Sequence, residues 1–368
     1  MKRFGFLFAY LIFSLAVAQL AVGSDPVKVA EEAIQSWLEQ PAFNPADILS
    51  KPQDEICTQL SAYLFNPPPP SGTNVNLEDR QEIKSETATE KTYTYPASFS
   101  SGQLAIVEVK LEEQEGQWQA SSVKFRLDSS GTAALSRLYD TIQQPFAYIL
   151  FSLFSLGLIY LLLRPSFLRR QLAEGWGYIK EHRRLVWFTI IFLYGLFALG
   201  FVAGRGLSET CAQLFLSFFQ NSLDEIGAGD AASSLNVARL ATLIFFQNFT
   251  FGVMVTTFGL AVLFGIPAFL MNGARYYLLG IPFGYQGFAG VLDFFLTIIL
   301  FIVELMAYIL VTAGGGMLLV SLIRQGFKGL NLGFRKLVMM LPIAMLLLVI
   351  GAWYEAVVIM LAQRLTGP

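Results

Sequence analysis

Two carboxylates stand where an ionised group is expensive. Glu304 lies inside the apolar stretch Asp293–Ile323 and Glu355 inside the apolar stretch Leu337–Leu361. On insertion scales a charge at bilayer depth costs roughly 2.5–3.5 kcal/mol. Something must offset that cost, and the polar side chains in comparable surroundings are Gln247, Asn248 and Asn272, with Arg275 close in sequence. Two chemistries fit this intramembrane polar set. In one, Glu304 and Glu355 form a proton or cation site between interrupted helices, the arrangement found where unwound backbone lines a cavity. In the other, a neutral Glu304 hydrogen-bonds Asn248 and locks two helices together. The balance of the residues favours the clamp.

Other chemistry is excluded by inventory. His182 is the single histidine, and the two cysteines, Cys57 and Cys211, are far apart and form no CxxC pair. Histidine triads and Cys/His zinc sites are therefore ruled out, and neither a catalytic set nor a metal or cofactor is expected. Cys57 and Cys211 fall on the same side of the membrane under the topology derived below, which allows a disulfide between them; the alternative is two buried thiols. Gly200 with Gly204, and Gly280 with Gly284, have the GxxxG spacing that lets helix backbones approach closely. Gly314, Gly315 and Gly316 follow no strand and precede no Lys-Ser or Lys-Thr, so they read as a packing break rather than a phosphate cradle.

The elements that must position these residues follow from composition. Hydrophobic residues make up 54% of the 368 and charged residues only 14%, whereas a soluble surface needs roughly a quarter charged. Lipid has to cover much of the chain. The formal charge of −2 and the short, scattered basic clusters make nucleic acid an unlikely partner by any electrostatic argument. Met1, Lys2 and Arg3 precede an apolar run from Phe4 to Val22, which reads as a secretory signal over residues 1–23 with cleavage after Ala18 or Gly23; an uncleaved first helix is the alternative. Residues 24–140 then have the composition of a soluble α+β domain. Asp25 before Pro26 starts a helix whose apolar face is Val29, Ala30, Ala33, Ile34 and Trp37, and Ile56, Leu60, Tyr63 and Leu64 mark a second. After Pro67–Pro70, the segments Thr92–Ala97, Gln103–Leu111 and Gln117–Leu127 alternate as antiparallel strands do. Glu112, Glu113 and Glu115 read as a solvated turn.

Residues 141–368 form a helical transmembrane domain. Phe146–Leu163 and Leu185–Gly204 each match a hydrocarbon core of about 30 Å. Between them stand Arg164, Arg169, Arg170, Lys180, Arg183 and Arg184 against Glu174 and Glu181, so this loop is expected in the cytoplasm and the N-terminal domain outside. Leu207–Ile226 is amphipathic and acidic, and is expected on the outer face or packed along the bundle. Val237–Met271 would run about 50 Å as one helix, too long for a core of about 30 Å unless it breaks or tilts strongly; breaks are expected at Gln247, Asn248 and Gly252, and in Asp293–Ile323 at the Gly314 triplet, with one of the two stretches a hairpin or re-entrant half-helix and the other a single crossing. The acid-free loop Arg324–Lys336 is again cytoplasmic, and the last helix runs Leu337–Leu361. The expected fold is thus a polytopic α-helical membrane protein of about six transmembrane segments after the signal, with broken or re-entrant helices, carrying an N-terminal soluble α+β domain.

The order Phe245, Gln247, Asn248, Phe258, Gly259, Gly265, Asn272, Gly273 and Gly280, followed by Glu304 and Glu355, resembles the stage II sporulation protein M family over roughly residues 164–368. The paired asparagines of that family stand here as Gln247 and Asn248, and its His-Gly turn is replaced by Leu300 and Phe301. The exported domain is similar to NTF2-like or cystatin-like domains by layout alone. The resemblance implies a bacterial cytoplasmic (inner) membrane protein of the cell envelope. The expected function is that of a non-enzymatic scaffold or complex subunit whose extracytoplasmic domain binds a partner or ligand. Its partners would be the lipid bilayer and envelope proteins, with a homo-oligomer allowed. The alternative is a transporter or channel component coupled to protons or cations through Glu304 and Glu355.

Overall fold

The computed structural model describes residues 22–23, 25–40, 51–65, 68–70, 72–83, 89–99, 104–114, 116–127, 138–139, 141–225, 231, 236–288 and 290–366. Most of the expected signal segment, both of its cleavage points' flanking runs before residue 22, Pro67 and Glu115 lie outside them. The chain divides into two compact units, Met1–Arg137 and Leu138–Pro368.

In the first unit, helix α1 (Pro26–Leu38) begins where the Asp25 side chain accepts the Val27 amide at 3.0 Å, satisfying one orphan donor of the first turn, and Pro26 supplies a preset φ. Its buried face is Val29, Ala30, Ala33, Ile34 and Trp37, as the apolar spacing predicts. Helix α2 spans Gln53–Phe65. The strands are β1 (Val22–Gly23), β2 (Asn74–Val75), β3 (Gln81–Ile83), β4 (Glu90–Ser98), β5 (Leu104–Gln114) and β6 (Gln117–Leu127), all antiparallel, in the order β1-β6-β5-β4-β2 with β3 also on β4. Tyr93, Tyr95 and Ala97 of β4 and Val107, Val109 and Leu111 of β5 pack with α1 in one core. Strand β6 does not keep strict alternation. The pairing steps from Lys110↔Ser122 to Leu111↔Ala120, so Ser121 is an extra residue. This bulge moves the buried side from Trp118 and Ala120 to Val123, and the Ser121 hydroxyl donates to the Lys110 carbonyl at 3.2 Å.

The second unit is helical. Its elements are α3 (Pro145–Leu163), α4 (Phe167–Glu181), α5 (Arg183–Arg205), α6 (Glu209–Glu225), α7 (Val237–Phe246), a π-helical stretch over Gln247–Phe258, the single turn α8 (Gly259–Ala261), α9 (Ile266–Gln286), α10 (Val291–Gln325), a 3-10 turn over Gly326–Lys328, α11 (Gly329–Val338) and α12 (Leu341–Thr366). Among the described residues four helical stretches are long and apolar enough to cross a membrane: Pro145–Leu163, Arg183–Arg205, Val237–Ala261 and Val291–Leu361.

Three expectations about the long stretches are corrected. Gln247, Asn248 and Gly252 do not break the first stretch; the helix continues through them in π form, and the chain turns at residues 262–265, where Phe264 and Gly265 both have positive φ. The glycine triplet does not break the second stretch, because α10 runs unbroken for 35 residues, about 52 Å. A helix advances about 100° per residue, so three successive glycines open three different faces. A Cβ on Gly314 would press on Leu337 and Met340, one on Gly315 on Ala261 and Gly265, and one on Gly316 on Leu185. Each glycine weakens a helix by about 1 kcal/mol relative to alanine; here the triplet seats α11, the 262–265 turn and α5 against one helix. Finally, the segment Arg324–Lys336 is mostly helix α11, folded back on α10 after Gly326, and the last helix starts at Leu341 rather than Leu337.

Candidate functional site

The expected intramembrane polar residues fall into three groups, not one. Their placement depends on the π-helical stretch. A π-helix bonds i to i+5, and runs of it recur at functional sites because they widen the helix and re-aim side chains. Thr256 and Thr257 both donate to the Gly252 carbonyl, at 2.5 and 2.8 Å, filling acceptor capacity that the altered ladder leaves open. Gly252 itself has no room for a side chain, because the Tyr308 ring occupies that space.

The first group joins the π-helix to α10. Asn248 Nδ2 donates to Glu304 Oε1 at 2.7 Å, and the Tyr308 hydroxyl donates to Asn248 Oδ1 at 3.1 Å. Tyr308 lies one turn along α10 from Glu304, so one asparagine amide bridges both. The Arg275 guanidinium, from α9, lies 4.4 Å from the centre of the Tyr308 ring, a cation–π contact, rather than forming an ion pair with Glu304. Tyr276, beside it, is buried and donates to the Leu305 carbonyl. Tyr194 of α5 donates to the Phe301 carbonyl at 3.2 Å. The α10 segment around Glu304 is therefore held from α5, α9 and the π-helix together. Glu355 belongs to the same neighbourhood from α12: Gly351, one turn before it, faces the Glu304 side chain.

The second group is Asn272, which is buried and donates to Thr312 at 2.9 Å and to Thr257 at 3.4 Å. It ties α9 to α10 and to the π-helix without touching the carboxylates. In the third, Gln247 accepts a hydrogen bond from Tyr139. Tyr139 itself stacks on Phe251 at 6.0 Å. A separate aromatic ladder connects α3, α7, the π-helix and α12: Phe151 stacks on Trp353 at 5.8 Å and on Phe245 at 4.9 Å, and Phe245 stacks on Phe249 at 5.3 Å. Trp353 Nε1 donates to Ser155 at 3.0 Å.

Sequence reasoning missed a further cluster. Lys336 on α11 is only 4% exposed. Its ammonium donates to Glu181 Oε1 at 2.8 Å and lies 2.8 Å from His182 Nε2. An ammonium has donors only, so Nε2 is the acceptor and His182 is neutral in this contact. Burial, and then the Lys336 charge, hold the His182 imidazole below its usual range, while the Lys336 hydrogen bond holds Glu181 below the usual carboxylate range. Beside it Arg335 pairs with Glu174 at 2.7 Å. The signal in the sequence is Lys336 abutting the apolar run at Leu337.

Neither Cys57 nor Cys211 is a free thiol, and both are buried. Among the described residues no group of three or more His, Cys, Asp or Glu is arranged to hold a metal ion. The fold and the buried polar contacts define a class: a helical protein built for a membrane, with an antiparallel-sheet domain N-terminal to it. Comparison of the chain with family models, curated proteins and solved structures finds no match.

Proposed function

We propose that this chain is a non-enzymatic cell-envelope protein: its helical unit is a membrane anchor and scaffold for a complex, and its N-terminal domain binds a partner or ligand outside the cytoplasm. The observation that carries this reading is the Asn248–Glu304–Tyr308 contact. The polar atoms with the best claim to chemistry are engaged with one another across a helix contact, which is what a clamp requires.

The reading includes six crossings. Glycine contacts run Gly200 to Tyr277 and Gly204 to Ile281, so α5 and α9 are parallel neighbours of similar length. That supports α9 as a crossing despite Arg275 within it. With α3, α5, the α7 to α8 segment, α9, α10 and α12 alternating in direction, the ends of α3 and α10 and the starts of α5, α9 and α12 share one side. This side carries the basic residues of α4 and α11, which supports its placement in the cytoplasm. The residue order that resembles the stage II sporulation protein M family supports a bacterial envelope role.

A proton- or cation-coupled transporter is the second reading, favoured by α12 packing against Glu304 at Gly351, one turn before Glu355. One variant separates the two. Glu304→Gln keeps the clamp's hydrogen bond and removes proton coupling. The scaffold reading expects the variant to melt like the wild type in detergent and to retain the same co-purifying subunits from native membranes. A pH-driven flux through wild-type proteoliposomes that the variant loses would replace it with the transporter reading. Impermeant labelling near Pro70 and, two residues from Gly175, at the exposed Gly177 in intact cells tests the topology, which requires opposite compartments.

A further inference from the structure

Helix α4 has two faces. Leu168, Tyr178 and Ile179 pack into the helical unit, and at Gly175 the helix approaches the Met339 carbonyl and Ile343 so closely that no side chain would fit. The opposite face carries Arg169, Arg170, Ala173, Trp176 and Lys180, all exposed. Trp176 is 55% exposed and Phe167 66%. An exposed tryptophan between cations is an arrangement suited to the headgroup level of a bilayer, where the ring finds apolar contact and its N–H a polar one.

Charge on this side is not balanced. The carboxylates of the α3–α5 connection are both engaged with α11, Glu174 with Arg335 and Glu181 with Lys336. Among the described residues Arg164, Arg169, Arg170, Lys180, Arg183 and Arg184 form no ion pair with a carboxylate. Where α3 ends and α4 begins lies a groove of about 560 Å³ lined by Pro165, Ser166, Phe167, Arg169, Arg170 and Ala173. It opens at the foot of α3, whose outward residues Leu156, Ile159, Tyr160 and Leu163 are exposed and apolar. An acyl chain lying along that face of α3 would bring its headgroup to the groove.

We propose that this surface binds anionic phospholipid: Arg169 and Arg170 take the phosphate of a headgroup in the groove, Lys180 extends the cationic face, and Trp176 sits at the glycerol level. The proposal rests on the reading that the helical unit spans a bilayer. The partner follows from charge complementarity. Six cations without carboxylates attract an anionic leaflet, while a zwitterionic one offers no net charge to them.

The test uses the full chain in proteoliposomes of phosphatidylcholine carrying graded amounts of dibrominated phosphatidylglycerol or dibrominated phosphatidylcholine, with tryptophan quenching as the readout. Trp176 is isolated as the difference between wild type and Trp176→Phe. Quenching of Trp176 is expected at a lower mole fraction of the anionic than of the zwitterionic lipid. Replacing Arg169 and Arg170 by Gln should shrink that preference by roughly fivefold for each arginine, with quenching by phosphatidylcholine unchanged. Added inorganic phosphate at constant ionic strength should leave the preference intact. Equal quenching by the two lipids in the wild type, a preference that survives in the double variant, or displacement by free phosphate would each overturn the proposal. Absence of quenching by either lipid would instead remove the membrane reading beneath it.

Discussion

The contact between α5 and α9 and the contact between the π-helix and α10 solve the same problem by opposite means. Between α5 and α9, Gly200, Gly204, Gly280 and Gly284 interdigitate so closely that a Cβ on any of them would overlap backbone of the other helix. Close packing does the holding, with Phe269 stacked on Phe188 and Phe192 and Tyr276 set edge-on to Tyr194, rather than side-chain hydrogen bonds between the two helices. Between the π-helix and α10, Asn248, Glu304 and Tyr308 hold the helices through hydrogen bonds. Lipid tails are as apolar as leucine, so hydrophobic burial cannot tell the right helix partner from lipid. Shape does so on one side and polar pairing on the other. Each should therefore fail in its own way: the glycine contact tolerates no added volume, whereas the polar contact tolerates isosteres but not deletion.

The sharpest break is expected in the glycine contact. Gly280→Leu must displace the Phe197 carbonyl and the Phe201 amide, and overpacking of this kind costs about 3 kcal/mol or more. Thermal unfolding and size exclusion in detergent should show loss of a monodisperse folded species. Gly273→Ala is the control, since its Cβ would meet only a Leu196 methyl at 3.1 Å; its melting should stay near that of the wild type. A Gly280→Leu protein that melts normally would mean the two helices do not pack as described.

The polar contact should give smaller and more selective effects. Asn248→Ala leaves Glu304 and Tyr308 without their shared partner and should lower stability by about 1–2 kcal/mol. Glu304→Gln should change it by less than about 0.5 kcal/mol, since the bridging geometry survives. Equal losses in both variants would show that charge rather than hydrogen bonding holds this contact. Asn272→Ala, which removes the Asn272 hydrogen bonds to Thr312 and Thr257 in a separate group, should add to Asn248→Ala independently to within about 0.5 kcal/mol.

The smallest effect is expected at the rim, where Lys336, Glu181 and His182 combine charge with burial. His182 has a folded-state value below its unfolded 6.5, so protonation is resisted by the fold. Stability should therefore fall as pH drops below 6.5 and level off once the folded value is passed. Glu181 is also held below its unfolded value, but its ionised form is the stabilising one; that contribution is present above 4.5 and lost as pH falls through the lower folded value. His182→Gln should remove the first step and keep the second, whereas Lys336→Met should weaken both. Melting temperatures flat from pH 7.5 to below 4 in the wild type would contradict the contacts drawn here. Tyr178 also faces this cluster, and burial holds its hydroxyl above its ordinary value of 10.

Local signals were legible where one element settles the matter. Asp25 and Pro26 marked the start of α1, and the spacing of Val29, Ile34 and Trp37 marked its buried face. The GxxxG pairs marked a close helix contact, and Asn248 was a foreseeable partner for Glu304. What was not legible depended on two elements at once. The Gly314 triplet read as a break because glycine weakens a helix in isolation. In the folded chain three neighbours need those three faces open, so the helix persists. The bulge at Ser121 escaped notice because an alternating pattern shows register only against a partner strand.

From its residues alone this chain declares that most of it belongs in lipid, where its polar atoms are scarce, and which end of its helices carries the positive charge. Those properties are sums over local composition and need no knowledge of contacts. Only the tertiary structure separates Asn272 from Glu304, seats Lys336 against Glu181 and His182, and turns a suspected helix break at Gln247 into a continuous π-helix. Each of these depends on how far one backbone stands from another, a distance set by all the side chains packed between them.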